Sequence, residues 1–479
     1  MLDLIPNKIR TRFAPSPTGE LHIGGARTAL FAYLFAKKNG GEFLIRVEDT
    51  DQNRLIKDSE LRMLDSAKWL GIDWTGDPIY QSARLSLYKE YARKLIEDGN
   101  AYYCFCSSER LEKLRNEQSA KGEITRYDRK CRDLSAEEVL EKIKNGEPHV
   151  IRLKIPEKGK VKFNDLIHGE IEFDLANVED QILMKSDGFP TYHLAVVVDD
   201  HDQGITHVLR GDEWMSSTPK HIFLYRCFDW EPTVYAHLPV IVGKDKKKLS
   251  KREGSASVEA FREKGYLPEA IINFIALLGW NPGTEQEFFT LAELEKEFDI
   301  TKVNKAPAFF DIEKLDHFNA HYIHHMGDGE LLQKIKPFSK IDFEKYDKSF
   351  LHKVIKVVKE RMVFLKDFDD LTPYFFDDVS IEKEMIKFGK SEWQDTLSGL
   401  EGVVKVLESD DESWNDMEKI NNILTSVVVS SGLKNGDVFW PVRYALSGEK
   451  ASPSPAELLW VFGKEESLKR LNRALNEIK

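Results

Sequence analysis

The chain has 479 residues, 41% of them hydrophobic and 31% charged, and a formal net charge of -12. That length exceeds what one core supports and points to about three domains. No apolar run reaches the ~20 residues of a bilayer span, the best, Ile271–Trp280, being interrupted by Asn273. Four cysteines make no disulfide framework, and the opening "MLDLIPNKIRTRF" lacks the charged-then-apolar pattern of a secretion signal. A globular, cytoplasmic protein with no membrane association is expected. A chain this acidic that binds nucleic acid must gather its positive charge locally.

In chain order, "IRTRF" (Ile9–Phe13) reads as a strand, and "GGARTALFAYLFAKKNGG" as a helix closed by Gly40 and Gly41. "EFLIRV" reads as a second strand, followed by helical stretches at Ser59–Leu70 and Ala83–Glu97. Strand, helix, strand implies a parallel sheet with ligand-binding loops at its carboxyl edge. From Tyr103 to Gly188 the texture shifts to short strands ("VIRLKI", "GEIEF", "QILMK") and one polar helix near Glu109–Gln118, as in an inserted module. The alternating pattern resumes: "YHLAVVVDDHD" is apolar then acidic, "ITHVLR" a strand, and "STPKHIFLYRCF" a helix. Beyond Pro307 the chain reads as mainly helical. Leu351, Val354, Ile355, Val358, Met362 and Leu365 repeat as one helix face, and Leu468, Leu471, Leu475 and Ile478 do so after the breaker Gly463. "ESDDESWNDME" reads as a solvated loop or helix end, and "SPSP" (Ser452–Pro455) as a connector.

Two stretches carry chemistry. In "APSPTGELHIGGARTALF" (Ala14–Phe31) two prolines stiffen the loop after the first strand, and Gly19, Gly24 and Gly25 allow close backbone approach where a helix begins. A helix N-terminus there is an anion site to which His22 adds a donor, although "HIGG" by itself fits a plain strand-to-helix turn with an incidental histidine better. "KDKKKLSKREG" (Lys244–Gly254) packs five lysines and an arginine against two acids. Density of charge alone fits a solvated basic loop equally well. Mobile lysines that reach a departing pyrophosphate only in the transition state would accelerate attack on the α-phosphate of ATP, so the pair of stretches predicts adenylate formation.

"PSPTGELHIGGAR" followed by "KLSKR" (Lys248–Arg252) resembles the paired signatures of class I aminoacyl-tRNA synthetases, in the form carried by the bacterial glutamyl-tRNA synthetase family. The resemblance runs along nearly the whole chain through "FLIRVEDTD", "WLGIDWTGDP", "DGFPTYHLAVVVDDHDQGITHVLRGDEW" and "YLPEAIINFIALLGW". It implies a Rossmann-like, doubly wound parallel-sheet domain at 1–103 and 191–240, split by an α+β acceptor-end module at 104–190. A connecting domain at 241–320 would carry the lysine loop, and helical anticodon-binding subdomains would occupy 321–375 and 376–479.

Implied substrates are L-glutamate, ATP with Mg²⁺, and tRNA(Glu), in a chain expected to be a monomer. Arg12 and Arg210 are similar to the arginines that hold the substrate's side-chain carboxylate. A planar guanidinium suits that group and opposes the N–H groups of glutamine's amide. The resemblance places Ala14, Ser16 and Tyr192 in the same pocket, with Glu48 facing the substrate ammonium. The ATP site would comprise His22, Gly24, Gly25, Trp214, Lys248, Leu249, Ser250, Lys251 and Arg252, with His22, Lys248 and Lys251 catalytic. Arg361 aligns with an anticodon-reading arginine, and equally suits the surface of an amphipathic helix.

The chain departs from the family pattern at Val196, where some relatives carry a pocket-lining asparagine, and at Glu253, where histidine is common. Cys104, Cys106 and Cys131 resemble a zinc knuckle with Asp133 in the fourth place; reduced free cysteines are the alternative. Whether tRNA(Gln) is also charged is open from sequence. Three rivals differ in what they retain. A shortened paralogue lacks the helical end, glutaminyl-tRNA synthetase closes with β-barrels, and a non-catalytic tRNA-binding relative would have lost His22 and Lys251.

Overall fold

The computed structural model describes residues 8–249 and 257–479. They divide into two compact units, one reaching Arg262 and including Pro268–Ile312, the other comprising Glu263–Leu267 and Glu313–Lys479.

In the first unit, β1 (Arg10–Phe13), α1 (Ile23–Lys38), β2 (Glu42–Val47), α2 (Ser59–Trp69), β3 (Ile79–Tyr80) and α3 (Leu85–Glu97) follow in order. β1 pairs in parallel with β2 from Arg10↔Glu42 to Phe13↔Ile45, and β2 with β3. Every residue from Ala29 to Leu34 of α1 is buried, so this helix is apolar all round rather than amphipathic. Its start is fixed by His22, whose Nδ1 accepts from the Gly24 N–H at 3.2 Å.

The insertion follows as β4 (Ala101–Cys104), α4 (Ser108–Ala120), α5 (Ala136–Lys144), β5 (Val150–Leu153), β6 (Lys160–Asp165), β7 (Gly169–Asp174) and β8 (Ile182–Met184). β4, β5 and β8 form an antiparallel sheet of their own. The β6–β7 hairpin instead joins the sheet of the surrounding domain, with β6 beside β10 (Val234–Leu238).

Between these, α6 (Tyr192–Asp202), β9 (His207–Gly211) and α7 (Thr218–Cys227) restore the alternation. β9 and β10 are parallel, and reciprocal bonds join Arg10 and Thr206: the Thr206 N–H donates to the Arg10 carbonyl at 2.9 Å, and the Arg10 N–H to Thr206 Oγ1 at 2.8 Å. The strands therefore form two sheets, β3-β2-β1 and β9-β10-β6-β7, joined at β1 by these bonds, so that the order reverses its direction of growth at β1, the place where doubly wound sheets bind ligands. "YHLAVVVDDHD", apolar then acidic in sequence, is one helix with Asp199 and Asp200 buried.

The second unit is helical, from Ile312–His325 through Lys348–Val358, Trp393–Ser409, Met417–Ser431, Asn435–Ser447 and Pro455–Ile478, and no strand occurs among its described residues. Helix Lys348–Val358 ends earlier than its apolar repeat: Met362 and Leu365 are buried but lie beyond it. The Asp367 carboxylate accepts from the N–H groups of Val363 and Phe364, each at 2.7 Å, and stabilises a turn there. Gly463, at φ 71° and ψ -176°, breaks the last helix as its sequence suggests. The "SPSP" connector proves to be that helix's start, with Ser454 and Glu457 as a capping box and Pro455 in the first turn. No helix among the described residues is long and apolar enough to cross a membrane.

Candidate functional site

A cavity of about 270 Å³ opens at the carboxyl edge of the sheet, lined from the ends of β1, β2, β9 and β10 and from the start of α1. Arg12, Ala14, Ser16, His22, Gly24, Gly25, Glu48, Tyr192, Arg210, Trp214, Lys248 and Leu249 all line it, although they span about half the sequence. Ser250, Lys251, Arg252 and Glu253 lie outside the described residues. Leu249, just before them, lines the cavity, and Ser257 makes an isolated β-bridge with His22.

Each side chain is placed by local chemistry. The loop after β1 is tied to β2 by the Glu48 N–H donating to Pro15 O at 2.9 Å. The acidic turn "EDTD" then divides: Glu48 is buried on the cavity, Asp49 accepts from Ser82 N–H and Oγ at 2.7 and 2.5 Å, and Asp51 pairs with Arg54 on the surface. Because His22 Nδ1 accepts from the helix start, its Nε2 carries the ring proton. Tyr192 and Trp214 pack with ring centroids 4.4 Å apart. Lys248 forms an ion pair with Glu213 at 2.7 Å. Val196 is buried in the apolar core and is absent from the cavity lining.

The two arginines are held in opposite ways. Arg12 grips Asp200 with Nε and Nη2, at 3.0 and 3.4 Å, and Arg46 also donates to Asp200 at 2.7 Å. Burial opposes the Arg12 charge, but Asp200 outweighs it and raises the pKa. Arg210 is just as buried, yet the described residues offer it neutral acceptors alone: Tyr192 OH, His221 Nδ1, His237 Nε2, Trp214 O and Thr218 Oγ1, at 2.7–3.3 Å. It is a buried cation with no carboxylate among its direct hydrogen-bond partners in the described residues.

Glu48 titrates near neutrality: burial pushes its carboxyl up to about 7, against the pull of Arg46 and Arg12. An ammonium group bound beside it favours the carboxylate form, so affinity for an amino acid should rise with pH through about 7 and flatten above. Below that point it should fall by up to about tenfold per unit. The affinity of an amino acid for this cavity, measured from about pH 5.5 to 8, checks this; Glu48→Gln should weaken binding and remove the slope.

Sequence reasoning overlooked Arg27, whose guanidinium lines the cavity and holds the carbonyls of Leu278 and Pro239. Burial lowers it to about 10, with Asp212 and Glu213 opposing. Its place in "GGAR" was the available signal.

In the insertion, Cys104, Cys106 and Cys131 bring their sulfurs within 4.8 Å of one another. Asp133 is exposed and does not belong to the group. The polar atom facing the thiols is the Tyr127 hydroxyl, 3.3 Å from Cys104 Sγ and 3.7 Å from Cys106 Sγ. Hydrogen bonds from Cys131 and Tyr127 hold the Cys104 thiol below its usual range, and Arg110 donates to Cys106 Sγ at 3.5 Å. In the second unit, Arg361 ends a short 3-10 turn, partly exposed, 3.8 Å from Glu457.

Comparison with known proteins agrees with this geometry. Residues 8–317 match the family described as tRNA synthetases class I (E and Q), catalytic domain, and 330–475 match the anticodon binding domain. The chain is 43% identical over 500 residues to a glutamate–tRNA ligase of Clostridioides difficile (strain 630), covering 98% of this chain and 99% of that protein. A glutamate–tRNA ligase of Clostridium tetani (strain Massachusetts / E88) is 45% identical, covering 99% and 98%. The solved structure of a glutamate tRNA ligase from Elizabethkingia meningosepticum CCUG26117, in complex with its amino acid, matches with a TM-score of 0.89 at 35% identity, over 98% of this chain and all of that one. With a doubly wound catalytic sheet, an all-helical anticodon region and full-length likeness to these proteins, the chain belongs to the glutamate–tRNA ligase family of class I aminoacyl-tRNA synthetases.

Proposed function

We propose that the chain joins L-glutamate to tRNA(Glu) in two steps at the cavity described above. A glutamate α-carboxylate oxygen attacks the α-phosphorus of ATP, the α–β phosphoanhydride bond breaks, and pyrophosphate leaves. The 2′-hydroxyl of the terminal adenosine then attacks the glutamyl carbonyl, its proton passes to the adenylate's phosphate, the acyl–phosphate bond breaks and AMP departs. The observation that carries this reading is the convergence of an uncompensated guanidinium at Arg210, an acid near neutrality at Glu48 and a histidine-capped helix start in one cavity.

In this reading Arg210 and Arg12 face the substrate's side-chain carboxylate and Glu48 its ammonium, with Tyr192, Ala14 and Ser16 shaping the pocket. His22 Nε2–H and the N–H of Gly25 meet the phosphates, with Gly24, whose own N–H is taken by His22 Nδ1, letting them approach the backbone closely, and Trp214 and Leu249 meet the adenosine. Lys248, Ser250, Lys251 and Arg252 serve the leaving pyrophosphate, whose charge Mg²⁺ shares as counter-ion of the nucleotide. Lys248 must exchange Glu213 for phosphate to do so. The absence of strands among the described residues of the second unit favours this reading over a glutaminyl enzyme closed by β-barrels. Arg361 would read an anticodon base as an exposed cation. Pyrophosphate exchange with glutamate, run with tRNA(Glu), with tRNA(Gln) and without tRNA, tests the substrate and the discrimination together; exchange with no dependence on glutamate in any arm would refute the reading.

The donor set also fits zinc. Three cysteine sulfurs within ligand reach are a zinc-selecting set, and Cys104, Cys106, Cys131 and the Tyr127 hydroxyl would hold it. Its contribution would be structural, bracing the β4 end of the insertion. Metal analysis of purified protein is expected to find about one zinc per chain, reduced in Cys106→Ser and unaffected in Asp133→Ala.

A further inference from the structure

We propose that His221 and His237 are specificity-positioning residues: buried neutral acceptors that occupy Arg210 from behind while leaving its charge unmatched, so that the pocket selects a carboxylate over a carboxamide. The inference rests on the assignment of Arg210 to the substrate's side-chain carboxylate.

The geometry divides the five partners of Arg210 into two sets. Tyr192 and Trp214 line the cavity, and their hydroxyl and carbonyl, at 3.1 and 3.3 Å, are the acceptors an entering ligand can displace. His221, His237 and Thr218 do not line it and hold the guanidinium from the protein side. Because a guanidinium only donates, His221 Nδ1 and His237 Nε2 must be the unprotonated ring nitrogens.

Each imidazole has its remaining nitrogen engaged so as to keep that tautomer. His237 Nδ1 donates to Asp165 Oδ2 at 2.6 Å, and His221 Nε2 donates to His193 Nδ1 at 3.1 Å. Burial, reinforced by Arg210, drives the His221 pKa well below its ordinary value, and burial lowers His237 although Asp165 opposes it. The histidines therefore add no charge of either sign beside Arg210.

Two other buried guanidiniums show the alternative. Arg12 and Arg46 meet at the Asp200 carboxylate and are neutralised in place. A carboxylate behind Arg210 would do the same, and a neutral amide and an anionic carboxylate would then compete on hydrogen bonding alone. With neutral acceptors behind it, the buried cation rewards a full negative charge in front.

A charge-only comparison at His221 tests this. Asn and Asp side chains are nearly isosteric and can each place an oxygen close to the Nδ1 position, so His221→Asn preserves a neutral acceptor whereas His221→Asp adds a charge. Aminoacylation of tRNA(Glu) is read as KM for glutamate, KM for ATP, and inhibition by glutamine. His221→Asn is expected to keep the glutamate KM within about threefold, and His221→Asp to raise it by at least about 30-fold and narrow the gap to glutamine, with the ATP KM unchanged in both. Equal shifts in the two variants would overturn the inference. If His221→Asp does not fold, Thr218→Asn against Thr218→Asp makes the same comparison at Nη2, with the same two outcomes. Should Arg210→Ala itself leave the glutamate KM unchanged, the assignment of Arg210 falls and this inference with it; equal Asn and Asp shifts alongside a large Arg210→Ala effect would remove the inference alone.

Discussion

Arg210→Ala is expected to raise the KM for glutamate by about 30- to 3,000-fold, the range that follows from ~2–5 kcal/mol for losing one partner of a buried charge pair at ~1.4 kcal/mol per decade. The KM for ATP should stay within about threefold of its original value. Arg210 gives a cleaner test than Arg12. The partners Arg210 leaves behind are two imidazoles, two hydroxyls and a carbonyl, none of them charged. Removing Arg12 instead deprives the buried Asp200 of one of its two guanidiniums, so the protein itself should lose stability. The comparison is made by steady-state kinetics for glutamate and thermal unfolding on both variants. An unchanged glutamate KM and kcat in Arg210→Ala would show that the carboxylate sits elsewhere. Arg210→Lys should recover only part of the loss, since a point charge replaces the planar fork.

Lys251→Ala is expected to fold normally and to lose about 10²–10³ in the rate of adenylate formation, the scale seen when one donor to a developing charge is removed. The effect should fall on kcat rather than on either KM, because the lysine is assigned to the departing pyrophosphate and not to the ground state. Lys248→Ala should differ in kind. Lys248 is paired with Glu213 at 2.7 Å, so its removal also releases an acid into the nucleotide side of the cavity and should raise the ATP KM as well. Pyrophosphate exchange at saturating glutamate, with tRNA(Glu) present, separates the two. Near-normal exchange in Lys251→Ala would withdraw its role.

Much of the catalytic domain was legible because its strands and helices announce themselves locally. "EFLIRV" begins and ends where β2 does, and the cavity residues sit at strand ends, where a parallel sheet must bind. What stayed hidden depends on partners remote in sequence. Asp199 and Asp200 look like the polar end of an apolar run; they are buried because Arg46, Arg84 and Arg12 arrive from other elements to pair with them. The neutral shell of Arg210 draws on α6, α7, β10 and the turn at Trp214, so no single window of sequence displays it. At the cysteine group, spacing suggested Asp133, whereas the turn after Cys131 leaves that side chain exposed and a tyrosine four residues before Cys131 faces the sulfurs. In Met362 and Leu365 periodicity reported burial correctly and helix wrongly, since a chain can keep its apolar side inward through a turn.

The β6–β7 hairpin bears on how this protein could be recombined with its relatives. Measured along the chain, residues 104–190 look like a cassette that could be exchanged between homologues at two cut points. The hairpin lies within that stretch, yet it completes the edge of the catalytic sheet, and its Asp165 holds His237 at 2.6 Å. A chimaera cut at those points would import a foreign edge strand and a foreign partner for the imidazole behind Arg210. Crossover points that retain Lys160–Asp174 with the host, exchanging only the parts before and after the hairpin, follow the packing rather than the linear order.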